Sequence, residues 1–366
     1  MPARIPLLRV AGSHREVGRA VGAATAPVLR DAVAFDAELP PWRTRDEQLA
    51  LAARYREATR VATPWLVEEI DGAAEGAGVD ALELFAASVE EIWTVRPSQV
   101  GTAEPVPGRC SDLVIGPPHT ADGHLWVAHT NDLGEASEPQ VVAVEWRVPG
   151  EPVVFSLGIG PWISVGWNDA GLSLTGNELS PNDERVGVPR LLMVREQLTA
   201  TTLDAAVEMT LRSDRASSYN TVFAHRDGRA VNVEGSAGAA VVRAIGVGET
   251  LAHTNHYVEP AMVRYEGDPA YALRSAARYE RACALLAAAT AGPAGSVTPA
   301  LLRAWLGDHA GAPDSICRHP GSGGQPDGDP AVKTVFWTIT DVTAGEVTYG
   351  RGNPCLGGRP EQYAFA

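Results

Sequence analysis

Lysine is nearly missing from this 366-residue chain: Lys333 stands alone among the side-chain amines, and arginine supplies the other cations. With 30 Lys and Arg against 45 Asp and Glu, the net charge is −15. A chain so acidic has no excess of positive charge to hold nucleic acid or an anionic membrane surface, and neither is expected as a partner. Long apolar runs are missing too, with no stretch approaching the ~18 residues of a membrane span. The opening Met1-Pro2-Ala3-Arg4-Ile5-Pro6 has none of the apolar character of a signal peptide. Cysteine is scarce: Cys110, Cys283, Cys317 and Cys355 are widely spread, without a CxxC pair or metal-ligand spacing. That pattern fits a reducing compartment better than a disulfide framework, so the expected location is cytoplasmic, with no metal and no cofactor. No GxSxG elbow, P-loop or HExxH occurs, which weighs against α/β-hydrolase, nucleotide-binding and zincin readings.

What is present is an ordinary globular composition, 45% hydrophobic and 20% charged, with length for one large domain or two small ones. Residues 13–94 read as three helices. Ser13 with Glu16, Thr44 with Glu47 and Asp80 with Glu83 each set a capping oxygen three residues before a carboxylate. Apolar residues recur at helical spacing after the second and third: Leu49, Ala52 and Ala53, then Leu82, Phe85, Ala86, Val89 and Ile92. Gly72, Gly76 and Gly78 follow no strand, so a dinucleotide fingerprint is set aside. Residues 95–109 form a linker carrying Pro97, Pro105 and Pro107.

Beyond the linker the period changes. Cys110–Gly116, Leu125–Thr130, Val141–Val148, Val153–Gly158, Ile163–Trp167 and Leu172–Thr175 are short β-branched or aromatic runs between Gly, Pro, Asn and Asp. Helices are expected near 189–199 and 202–212, then strands at Thr221–His225, Ala230–Glu234, Ala240–Ala244 and Thr250–Thr254. Helices near 270–290 and 298–307, a Gly/Pro/Asp loop at 318–330, and the hairpin Thr334–Val342 with Glu346–Gly350 complete the chain. An α block followed by antiparallel β blocks with helices between them implies an α+β protein, helices stacked outside sheets. Cys110 stands where the two architectures meet. A lone cysteine at a strand start also suits a small buried hydrophobe, and His129 and Asp132 at a strand end also suit a turn. His253 and His256 would face opposite sides of a strand end, a poor arrangement for a shared metal.

Taken in order, the motifs resemble a known family. They run Gly12-x3-Glu16-x-Gly18-x3-Gly22; Glu69-Ile70-x-Gly72-x2-Glu75-Gly76; Cys110; Gly123; Ala128-x3-Asp132; Val165-Gly166-Trp167-Asn168-x-Ala170-Gly171; and Asn177. His253-Thr254-Asn255-His256, Ser315-Ile316-Cys317-Arg318, Thr334-Val335-Phe336 and Gly350-Arg351-x-Asn353-Pro354 follow. The series is similar to the acyl-coenzyme A:6-aminopenicillanic acid acyltransferase family, self-processing cysteine members of the N-terminal nucleophile hydrolases.

The resemblance implies a four-layer αββα sandwich, two antiparallel sheets face to face with helices on both outer faces. It implies cleavage between Arg109 and Cys110, making 1–109 a small subunit and 110–366 a large one, held together as an αβ heterodimer within one αββα domain; a higher homo-oligomer is left open. It implies catalytic roles for Cys110 as nucleophile, Asn255 as oxyanion donor, Asp132 as an acidic group near the nucleophile and Asn177 as a second polar contact. Cys317 and Cys355 are read as structural. The implied partner is a small-molecule acyl substrate, an N-acyl amide or acyl thioester. The chain departs from the family where Arg109 replaces the usual glycine, and where Ser111-Asp112 replaces Thr-Thr of the penicillin-forming member. Pro330 and Ala331 stand where that member has a Ser-Arg pair, so the β-lactam nucleus is not the expected acyl acceptor. The alternative from a different class is an unprocessed, non-catalytic relative that binds a small molecule.

Overall fold

The computed structural model describes residues 4–36, 44–94, 109–320 and 332–365. Residues 95–108 of the linker and most of the 318–330 loop, Pro330 included, lie outside the described residues, as does Ala331. The chain enters through β1 (Leu7–Ala11), which the sequence reading passed over, and continues in six helices where three were expected. These are α1 (His14–Ala24), α2 (Ala26–Asp36), α3 (Arg45–Ala62), α4 (Pro64–Ala77), α5 (Ala81–Ala87) and α6 (Glu91–Thr94). In β1 only Val10 is buried, so alternation is faint. Thr25 and Thr63 stop the first and third helices, and Pro64 restarts the chain at a first-turn position that needs no N–H. Ser13 with Glu16 and Thr44 with Glu47 form reciprocal capping boxes, while Asp80 accepts from the N–H groups of Leu82 and Glu83.

The β region follows the expected order. It comprises β2 (Arg109–Ile115), β3 (Trp126–Gly134), β4 (Val141–Arg147), β5 (Val154–Ile159), β6 (Trp162–Asn168) and β7 (Leu172–Asn177). Then come α7 (Arg190–Gln197), α8 (Leu203–Thr210), β8 (Asn220–His225), β9 (Ala230–Gly235), β10 (Ala240–Ile245) and β11 (Leu251–His253). The chain closes with α9 (Pro269–Ala291), α10 (Pro299–Leu306), β12 (Val332–Asp341), β13 (Glu346–Arg351) and a short edge strand not expected from sequence, β14 (Glu361–Ala364).

Two sheets result. One has eight strands in the order β1-β4-β5-β6-β7-β8-β9-β10, the other six in the order β11-β2-β3-β12-β13-β14. All neighbours pair antiparallel except β1 with β4. Period-2 alternation turns each strand's two faces to different layers. Phe155, Leu157 and Trp167 of the first sheet pack against Phe336, Val347 and Tyr349 of the second. The far face of the eight-stranded sheet (Val144, Leu174, Phe223) meets Val17 and Val21 of α1, Val194 of α7 and Leu203 of α8. The far face of the six-stranded sheet (Leu113, Ala128, Trp337) meets Ala282 and Leu286 of α9 and Leu302 and Trp305 of α10. The architecture is the αββα sandwich.

The glycine spacings of the first helices now have a cause. A Cβ on Gly18 or Gly22 of α1 would lie 2.0 or 2.1 Å from the carbonyl oxygens of Glu69 or Ala73. One on Gly72 or Gly76 of α4 would lie 2.2 or 2.1 Å from those of Arg15 or Arg19. The helices cross backbone to backbone, which a side chain at any of the four positions would block.

Candidate active site

Cys110 is the second residue of β2 and is buried. Cys110, Asp112 and Val114 alternate toward the other sheet; Leu113 and Ile115 face α9 and α10. Its backbone N–H donates to Asn255 Oδ1 at 2.7 Å. Its carbonyl accepts from Arg278 Nη1 at 2.7 Å, and its thiol sulfur accepts from Asn131 Nδ2 at 3.6 Å. Arg278 Nη2 donates to Asn255 Oδ1 at 2.9 Å, so one guanidinium spans the cysteine carbonyl and the asparagine amide. Each backbone and side-chain polar group of Cys110 therefore meets its own buried partner. Burial pushes the thiol well above its ordinary pKa; Asp132 and Asp112 add to the rise, and Arg278 opposes it.

Asn255 follows the end of β11. Its N–H donates to Ser275 Oγ at 2.7 Å, which ties it to α9, and its Nδ2 donates to the Glu178 carbonyl at 3.0 Å. The amide oxygen thus faces the cysteine nitrogen. Asp132 is fully buried on β3, opposite Arg109 in the β2 register, and its Oδ1 accepts from Thr334 Oγ1 at 2.7 Å. Arg318 lies beyond it, its N–H donating to Thr334 Oγ1 at 3.0 Å. Burial lowers the Arg318 pKa, and the charges of Asp132 and Asp314 oppose that fall. Arg109 opens β2; the residues preceding it lie outside those described.

Asn177, at the end of β7, has its Oδ1 against Asn220 Nδ2 and His253 Nδ1, both at 3.0 Å, while its Nδ2 meets no partner among the described residues. It therefore touches Asn220 and His253 rather than Cys110, and stands one residue from the carbonyl that holds Asn255. His253 and His256 take separate partners, Glu234 for the first and Ser275 for the second. Lys333 is ion-paired with Glu138. Sequence reading gave no role to Arg278 or Asn131, and named Thr334 and Arg318 only within motifs. Arg278 carried a signal: an arginine on the stripe Tyr271, Ser275, Arg278, Ala282, Leu286 of α9, where every other position is small or apolar in character.

Two facing, largely antiparallel sheets between helix layers, with a cysteine second in an inner strand, agree with the αββα sandwich expected from the motifs. Residues 158–325 match the model of the family described as acyl-coenzyme A:6-aminopenicillanic acid acyl-transferase, which bears out the resemblance read from the motifs. Among solved structures the chain is similar to a Caenorhabditis elegans N-acylethanolamine-hydrolyzing acid amidase ortholog. That likeness has 14% identity and a TM-score of 0.42, covering 64% of this chain and 93% of that one. It is also similar to a variant of conjugated bile acid hydrolase from Clostridium perfringens, at 12% identity and TM-score 0.46, covering 70% and 97%. A third is penicillin V acylase from Agrobacterium tumefaciens, at 11% identity and TM-score 0.39, covering 69% and 84%. No curated protein matches significantly. Among the described residues, no helix is long and apolar enough to cross a membrane.

Proposed function

We propose that this chain is a cysteine amide hydrolase or acyltransferase that cuts itself between Arg109 and Cys110 and then uses Cys110 as an N-terminal nucleophile. The observation that carries the reading is the three-way hold on Cys110: Asn255 at its nitrogen, Arg278 at its carbonyl and Asn131 at its sulfur. A cysteine that served only as a small hydrophobe has no use for such a shell.

In the precursor, the thiol adds to the Arg109 carbonyl carbon, the C–N bond breaks, and the nitrogen leaves as the Cys110 amine carrying the thiol proton. Water then hydrolyses the thioester, leaving a carboxylate on Arg109 and a free thiol on Cys110. The released α-amine, with an ordinary pKa of ~7.7–8.0, becomes the general base for its own thiol. In each turnover it takes the thiol proton, sulfur attacks the substrate carbonyl, and the proton passes to the departing amine. A thioester remains, which water or a second amine releases. Asn255 Oδ1 orients the nitrogen that acts as base; its Nδ2, now on the Glu178 carbonyl, supplies the oxyanion donor when the amide exchanges that partner for substrate. The unpartnered Nδ2 of Asn177 is a further donor for substrate. Asp132 and Arg318 hold the wall beside the cysteine.

The substrate class is a small N-acyl amide or acyl thioester. Lys333, two and three residues along the chain from Ala331 and Pro330, is ion-paired with Glu138, which supports an acceptor other than the carboxylate-bearing β-lactam nucleus. After cleavage the small subunit stays bound, because β1 is hydrogen-bonded to β4 and Leu66, Ile70 and Phe85 are buried with Leu192 and Met193 of α7.

Denaturing mass spectrometry of the purified protein tests the reading. Two fragments beginning at Met1 and Cys110 are expected, and Cys110→Ala should stay as one chain. An intact wild-type chain that turns over substrate would sink self-processing, and an intact chain without turnover would assign the protein to the binding-only alternative.

A further inference from the structure

Cys317 and Cys355 were read from sequence as structural, 38 residues apart in the chain. The fold brings them to one point with two histidines. Cys317 Sγ and Cys355 Sγ lie 3.6 Å apart. His319 Nε2 is 3.6 Å from Cys317 Sγ and 3.2 Å from Cys355 Sγ, and His309 Nε2 is 3.1 Å from His319 Nε2. All four atoms lie within 4.8 Å of one another. The geometry points to a tetrahedral zinc site made by His309, Cys317, His319 and Cys355.

The distances carry this. Zinc binds thiolate sulfur at about 2.3 Å and imidazole nitrogen at about 2.0–2.1 Å. A tetrahedron with those radii has edges of about 3.8 Å between sulfurs, about 3.5 Å from sulfur to nitrogen and about 3.3 Å between nitrogens. The four edges given above fall within a few tenths of an ångström of these, and the two from His309 to the sulfurs are within 4.8 Å. A disulfide needs a sulfur separation of about 2.05 Å, far shorter than the observed gap, and both cysteines are free. Two thiolates with two imidazoles in tetrahedral array select zinc over the hard oxygen-loving cations.

A supporting shell surrounds the ligands. Asn353 Nδ2 donates to Cys317 Sγ at 3.4 Å and to the Arg318 carbonyl at 2.6 Å, while the Cys317 N–H donates to the Asp308 carbonyl at 2.9 Å. Hydrogen bonds of this kind fix thiolate orientation. Four protein ligands leave no open position, so the ion is structural rather than catalytic. It clamps the 309–319 segment to the turn at 353–355, and between two of its ligands stands Arg318, which faces Asp132. This inference does not depend on the reaction assigned to Cys110.

Metal analysis of the full chain, purified under reducing conditions with zinc in the growth medium, is the test. One zinc per chain is expected. After chelator stripping, cobalt(II) added to the apoprotein should give thiolate-to-cobalt charge-transfer and tetrahedral d–d bands. Cys355→Ser and His309→Ala, both at exposed positions, should lose the zinc and the tetrahedral bands, whereas Cys283→Ser should keep them. Metal-free wild-type protein that gives no cobalt bands would overturn the assignment. So would a Cys317–Cys355 disulfide in reduced preparations, or Cys355→Ser binding zinc as the wild type does.

Discussion

The two outer helix layers differ in what they send inward. On the eight-stranded sheet, α1 and α4 meet through bare backbone, and their polar groups close on one another. His14 pairs with Glu69 and Glu151, Arg195 pairs with the same two carboxylates, and the His14 ring stacks on Trp65 at 4.2 Å. On the six-stranded sheet, α9 places Arg278 and Ser275 on its buried stripe and spends them on Cys110 and Asn255. Both layers cover a sheet, but one closes its polar groups on itself and the other reaches through its sheet to the proposed nucleophile. A thread does run between them: Arg190 of α7 donates to the Leu179 carbonyl and pairs with Glu178, beside the carbonyl that holds Asn255. Changes on the α9 side should therefore cost turnover with little loss of stability, and changes on the α1 side the reverse.

The largest effect on the chemical side short of losing the thiol is expected from Asn255→Ala. Removing an oxyanion donor typically lowers turnover by about 10²–10³. Self-cleavage should slow too, since it passes through a similar tetrahedral oxyanion. Steady-state kinetics beside a circular dichroism melt checks this; turnover within a few-fold of wild type on a folded protein would return Asn255 to a structural role.

Arg278→Lys comes next. Lysine keeps the charge but cannot span the Cys110 carbonyl and Asn255 Oδ1 with one planar fork. Loss of one charge-assisted hydrogen bond is worth about 1.5–3 kcal/mol, so kcat should fall roughly 10- to 100-fold. Because Arg278 acts by positioning Cys110 and Asn255, KM should move little. Unchanged kcat with a lowered unfolding midpoint would make Arg278 a packing residue and erase the contrast between the layers.

Across the molecule, Gly72→Ala tests the other half of the contrast. The added methyl would meet the Arg15 carbonyl at 2.2 Å, and backbone on backbone cannot yield as a side chain can. Overpacking of this kind costs about 1–3 kcal/mol. The urea midpoint should drop while kcat of the folded fraction holds. A variant as stable as wild type would show that the crossing of α1 and α4 is looser than its contacts suggest.

These regions also differed in how plainly they could be read. The order of strands was legible because short β-branched and aromatic runs between Gly, Pro, Asn and Asp survive in a single sequence, whereas the sandwich came only with the family resemblance. The edge strands β1 and β14 were not, being short and mostly uncovered, so neither shows a buried face. The helix count failed at Thr25 and at Thr63-Pro64, where helices abut without a loop, and at the one-turn α6. At the candidate site, Cys110, Asp132 and Asn255 were proposed from ordered motifs, but Arg278 belonged to no motif. Its clue was physical, a cation on a stripe of buried helix positions. Convergence of His309, Cys317, His319 and Cys355 was beyond reach because their spacing is set by α10 and the β12–β13 hairpin, which only the fold folds back on itself.

The smallest effect expected is a pH dependence on the stable side. Burial by itself would lower the His14 pKa, but hydrogen bonds to Glu151 and Glu69, with their charges, override it and hold the group at about 9 against an ordinary 6.5. A group whose folded pKa is raised stabilises the fold fully below its unfolded value and loses that contribution as pH rises through the folded one. Stability from His14 should therefore be complete below about pH 6.5 and gone above about pH 9. Glu69 and Glu151 face the ring and Arg195 pairs with both, so a neutral side chain removes the titration without removing the neighbours. His14→Gln should be less stable than wild type at pH 6, and the gap between their urea midpoints should narrow toward pH 9. Other groups that titrate in the same window act on both proteins and cancel in the difference. Parallel midpoint curves for the two proteins would mean that His14 is neutral in the fold and that the carboxylate pair is held by Arg195 instead.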